Sequence, residues 1–142
     1  MTDSILTPSL ALIAWTLVVW VWMVATRIPA MQKARIAPQE GKHTRALAGK
    51  LPSEVQAVAD NYNHLMEQPT IFYALVAYVF LSGAESRLNI ALAWAYVGLR
   101  VVHSLVQNTS NVVTTRFYIF VASTLCLFVI VGEQGWRLFA HG

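Results

Sequence analysis

Eight polar residues sit in stretches that are otherwise apolar enough for a membrane: Asp60, Asn61, His64 and Glu67, then Arg100, His103 and Gln107, then Arg116. Their spacing is helical. Gln56, Asp60, Asn63 and Glu67 fall at i, i+4, i+7 and i+11, one face of a helix, and Ala57, Asn61, His64 and Gln68 form the adjoining row. Tyr96, Arg100, His103 and Gln107 repeat that spacing further along. An arginine inside a membrane helix costs roughly 2.5–3.5 kcal/mol on insertion scales, so it faces a partner or a wet cavity. Four kinds of chemistry fit such a set: an ion pair fixing helix register, a polar ligand site, a proton or ion pathway, and a metal centre. The two histidines lie on separate helices without metal-ligand spacing, which favours hydrogen bonding over a metal. The polar residues also stop about halfway along the apolar segments, which disfavours a transmembrane relay. Gly-rich phosphate loops, a nucleophile elbow, HExxH and CxxC are all missing from the sequence.

These side chains need helices in a bilayer to carry them. Of 142 residues, 56% are hydrophobic and 12% charged, against roughly 25% charged in an average soluble domain. The mean hydropathy is +0.52. The length accommodates one domain, residues 1–142. The net charge is +3, but six of the ten Lys and Arg residues fall within residues 27–50. They read as an orientation signal and a contact for anionic membrane lipid, not as a nucleic-acid surface. Cys126, the single cysteine, lies in an apolar run and reads as packing.

The pattern predicts an all-α, integral-membrane four-helix bundle, with helices over about residues 5–27, 53–83, 88–107 and 115–138. Residues 4–26 are uncharged over 23 positions, and about 20 cross a hydrocarbon core. Without a basic n-region this run reads as a retained span, closed by Arg27 and Pro29. Residues 29–52 form a basic loop, placed in the cytoplasm by the positive-inside bias, with both termini outside. Ser53 with Gln56 is a capping-box start for the second helix, and Pro69 should kink it. Thr114 or Thr115 should cap the fourth helix, and Glu133 with Arg137 should form a surface pair near its end.

Counting inward from the turn at residues 83–87 gives depths. Glu67 is fifteen residues from Ser82, Arg100 twelve from Leu88 and His103 fifteen from Leu88. Glu67 is therefore expected to meet Arg100 or His103 between antiparallel helices, and His64 to match Gln107 one turn nearer the loop end.

Asn61-Tyr62-x-His64-Leu65-Met66-Glu67-Gln68-Pro69-x-x-Phe72-Tyr73 resembles the second-helix signature of the MAPEG family. Arg100-Val-Val-His103-Ser104 resembles its third-helix signature, and Arg116 falls where that family has a fourth-helix arginine. With chain length, four spans and a basic first loop in agreement, the resemblance covers essentially the whole chain and implies a divergent, bacterial-type member. It implies a homotrimer, in the inner membrane if bacterial, that binds glutathione between subunits. The glutathione thiolate would attack a lipophilic small molecule arriving through the bilayer, in a transferase or peroxidase reaction. The resemblance makes Arg116 the catalytic residue, stabilising the thiolate electrostatically because arginine cannot act as a base at neutral pH. Asn61, His64, Glu67, Arg100, His103 and Gln107 would bind the glutathione cosubstrate, with no metal.

The sequence also departs from the family pattern. Where the well-studied enzymes carry second-helix arginines, about seven and four residues before the glutamate, it has Asp60 and Asn63. The family asparagine is replaced by His64, the third-helix tyrosine by Gln107 and the serine after the fourth-helix arginine by Phe117; Tyr118 is one position removed from it. These departures imply the alternative, a non-catalytic protein of the same fold that binds a lipid or a partner protein.

Overall fold

The computed structural model describes residues 4–42 and 46–141, which are helical apart from the connections. Helix α1 spans Leu6–Lys33, α2 Ser53–Glu67, α3 Pro69–Leu81, α4 Arg87–Asn108 and α5 Val113–His141. A short 3-10 turn, Pro38–Gly41, interrupts the first loop. The second and third helices are one rod. Gln68 between them keeps helical dihedrals, φ −66 and ψ −37. The break arises from the amide that Pro69 lacks, which deprives the Leu65 carbonyl of its helical donor.

The bundle therefore has four rods, and it is a membrane bundle. Helices α1, α4 and α5 are each long and apolar enough to cross a bilayer. Helix α3 has 13 residues, about 20 Å at 1.5 Å per residue, whereas a hydrocarbon core is about 30 Å thick. For this rod to cross as well, the last two turns of α2 would have to supply the remaining length, and they carry His64 and Glu67.

The core is a seam of branched aliphatic side chains around one aromatic pair. Ile5, Leu12 and Val19 line the inner stripe along α1, and Leu65, Phe72, Val76 and Val79 face them from the rod. Ala93, Tyr96 and Val97 of α4 and Leu127 and Ile130 of α5 close it. Phe72 stacks on Tyr96 with ring centroids 4.5 Å apart. The opposite faces of α1 and α5 expose Leu10, Leu17, Leu125 and Phe128, the outward apolar surface that a lipid solvent accepts.

Helix ends depart from the sequence expectation in three places. Arg27 and Pro29 do not close α1, which continues to Lys33. It stops where Arg35 takes a left-handed backbone, φ 53. The Arg35 N–H donates to the Gln32 carbonyl at 3.1 Å and that of Ile36 to Met31 at 3.0 Å, a stop usually made with glycine. Ser53 is not the cap of α2. Pro52 is, its carbonyl accepting from the Val55 and Gln56 amides at 3.1 Å each. Thr114 and Thr115 lie inside the first turn of α5, which starts at Val113.

The turn between α3 and α4 is built by local polar groups. Gly83 has φ 65, and the Ala84 N–H reaches back to the Val79 carbonyl at 3.1 Å. Ser86 Oγ caps α4 by accepting from the Asn89 N–H at 3.1 Å. Glu85 caps α1 instead: its Oε1 accepts from the Ile5 N–H at 2.7 Å and from Ser4 Oγ at 3.2 Å, an anion at a helix N-terminus. Glu133 accepts from Arg137 at 2.8 Å, the i, i+4 pair the spacing predicts. In the first loop Lys50 Nζ donates to Glu40 Oε2 at 2.9 Å. That bond, with the Ala37 N–H, holds the Glu40 carboxyl below the usual carboxylate range.

Candidate functional site

The polar residues gather at the end of the bundle that carries the basic loop and the α4–α5 turn. Arg100 is fully buried there. Its Nη1 lies 3.3 Å from His64 Nε2 and its Nη2 donates to the His64 carbonyl at 3.5 Å. A guanidinium only donates, so His64 Nε2 accepts and the ring proton sits on Nδ1. Phe120 of α5 covers the group, its ring centroid 5.8 Å from the guanidinium carbon and 5.5 Å from the His64 ring. His103, also buried, lies against His64 with centroids 5.0 Å apart.

Glu67 does not meet Arg100 or His103 within the chain. It is exposed on the outer face of α2, and the ion pairs among the described residues are those of Lys50 with Glu40 and Arg137 with Glu133. The physical reason is rotational. His64 stands one turn earlier on the neighbouring row, and that row, not the row of Glu67, points at α4. Asn61 shares its orientation and accepts from Ser104 Oγ at 3.1 Å, both fully buried.

A cleft of about 720 Å³ opens beside this cluster. Asp60, Asn63, His64 and Glu67 of α2 line it, with Gln107 of α4 and Arg116 of α5. A smaller recess of about 220 Å³ adjoins it, lined by Val113, Phe117, Phe120, His103, His64 and Arg116. The two share His64 and Arg116. The structure thus brings His64, Glu67, Gln107 and Arg116 to one cavity, places His103 in the recess behind it, and leaves Asn61 and Arg100 as buried supports.

Arg116 is held by a neutral group. Its Nη1 donates to Asn111 Oδ1. Asn111 has a left-handed backbone, φ 50, which asparagine tolerates better than most residues, and that conformation turns its amide back toward α5. Asp60 is likewise held by an amide, Gln56 Nε2, at 2.8 Å.

Sequence reasoning assigned no role to three contributors. Gln68 accepts from the Tyr96 hydroxyl at 2.6 Å and donates to Thr124 Oγ1 at 3.3 Å, joining the rod to α4 and α5 just above the cleft. Its place on the row of Asn61 and His64 was the available signal. Phe120 covers His64 and Arg100, and Asn111 orients Arg116. Both lie near the start of α5, where apolar and turn-forming residue types disguise their use.

A helical membrane bundle with a polar cleft between its second, third and fourth rods defines the class. The MAPEG family model matches residues 5–136, nearly the entire chain, and the chain belongs to that family. No curated protein and no solved structure matches it.

Proposed function

We propose that this protein is a thiol-dependent membrane transferase, with glutathione or a related thiol in the 720 Å³ cleft and a lipophilic electrophile reaching it from the bilayer. The reading rests chiefly on Arg116. Its guanidinium lines both cavities and is bonded to a neutral amide, so its charge remains free to stabilise an anion. A thiolate is the anion in question: a free thiol has a pKa of about 8.5, and each unit of lowering corresponds to about 1.4 kcal/mol. His64 offers no base at Nε2, which is occupied by Arg100, so the thiol proton leaves to solvent through the open cleft. In this reading the protein is a homotrimer of subunits in the inner membrane of a bacterium. The basic loop lies in the cytoplasm and the termini lie outside, so that the cleft meets the cytosolic thiol pool.

A specific observation supports the second reading, a non-catalytic lipid- or partner-binding protein. Among the described residues neither cavity is lined by a hydroxyl side chain, and Tyr118 is exposed away from both.

Purified protein in detergent, titrated with glutathione between about pH 6 and 8, should develop the thiolate ultraviolet band, because that range lies below an unassisted thiol. Arg116→Ala should remove the band and lower conjugation of a model electrophile about 100-fold or more. Absence of both signals in the wild type, with glutathione and with its diethyl ester alike, would sink the transferase reading and leave the binding protein.

A further inference from the structure

The charges in the cleft are arranged in a way that bears on which thiol it takes. Two carboxylates, Asp60 and Glu67, stand along α2, both exposed to the cavity. Arg116 is the single cation in its lining among the described residues, and it stands on the opposite, α5 wall. Arg100 lies behind His64 and out of the lining. The carboxylates have no cationic partner among the described residues: Asp60 is met by the Gln56 amide, and Glu67 enters neither ion pair. Gln107 provides an independent sign of a missing ligand. It lines the same cleft and is only 5% exposed, yet its Oε1 has no hydrogen-bond partner. A buried acceptor left open calls for a donor. The α2 wall thus offers negative charge, α4 an unpaired acceptor just beneath the cleft surface, and the α5 wall positive charge.

We infer that the cleft selects a thiol whose non-thiol end is neutral or cationic, an aminothiol in character, and that Asp60 is the residue that rejects an anionic one. The inference rests on the thiol-binding reading above and narrows it. A ligand thiolate would face Arg116 while an ammonium or amide N–H group faces Asp60, Glu67 and Gln107. A peptide dicarboxylate in the same orientation would set its carboxylates against the two acids, and like charges at contact range in a partly desolvated site oppose binding.

The test compares S-hexylglutathione with its diethyl ester in calorimetric titrations of the detergent-solubilised wild type and Asp60→Asn; the ester's added ethyl groups contribute equally to both proteins, so the difference between them reads the charge. The wild type should bind the diester at least about tenfold more tightly, the equivalent of about 1.4 kcal/mol. Asp60→Asn should erase most of that preference by strengthening binding of the free acid, and Glu67→Gln should shift it in the same direction. Asp60 is exposed, so its isosteric replacement should leave the melting temperature unchanged, which serves as the folding control. Equal or tighter binding of the free acid, a preference indifferent to Asp60→Asn, or no binding of either compound would overturn the inference. Thioethers cannot form a thiolate, so the two proposals fail separately. Diester preference without a thiolate band from any thiol would end the transferase reading and keep the charge selection. A thiolate band from glutathione with no diester preference would do the reverse.

Discussion

Arg100 Nη1 lies 3.3 Å from His64 Nε2, while Glu67, one turn further along the same rod, faces out of the subunit. The buried cation is therefore met at its two terminal nitrogens by an imidazole and a carbonyl, and the carboxylate at similar depth is left for the cleft. The two residues should consequently behave differently on substitution. Arg100→Ala empties a fully buried site and strands the His64 acceptors, at a cost of about 2–4 kcal/mol. Glu67→Gln should stay within about 0.5 kcal/mol, as for surface changes. Thermal unfolding of the two variants in the same detergent checks this, and equal losses would restore the ion pair.

Tyr96 supplies a second, separable prediction. Its ring stacks on Phe72 and its hydroxyl donates to Gln68 at 2.6 Å. Tyr96→Phe keeps the stack and removes the donor, leaving the Gln68 oxygen open, which should cost about 1–2 kcal/mol. Tyr96→Ala removes both, and about 3–5 kcal/mol is expected. If the two variants melt together, the hydrogen bond contributes most of the stability attributed here to the ring.

Asn111 tests whether Arg116 must be oriented. Asn111→Gly accepts the φ of 50 without strain and deletes the amide that holds the guanidinium. Stability should change little, while half-saturation of the thiolate band should need several-fold more glutathione. Asn111→Ala should show the same titration defect and lose about 1–2 kcal/mol more, the cost of a left-handed alanine. An unaltered titration in the glycine variant would mean that Arg116 finds its position unaided.

Helical spacing alone makes much of this legible. The apolar runs placed the rods, Pro69 marked the break, and the two polar rows of α2 singled out the residues around the cleft. The limits were rotational and local. Rows one residue apart differ by about 100° around a helix, and sequence alone does not say whether the row of Glu67 or that of His64 turns inward. The end of α1 lies beyond the Arg27 and Pro29 signal because its stop uses Arg35 in a conformation normally reserved for glycine. Phe120 carries no polar signal, so its cover over Arg100 and His64 emerges only from packing.

Glu85 ties the first residues of the bundle to the turn between α3 and α4 through the Ile5 amide and Ser4 hydroxyl. Helix α1 is thereby fastened at the end remote from its covalent link, and Leu12 and Val19 hold it along its length. The first loop adds its own anchors at the other end, with Leu47 and Leu51 buried. With the loop at one end and Glu85 at the other, α1 is clasped at both ends, so its tilt against the other three rods is set twice over.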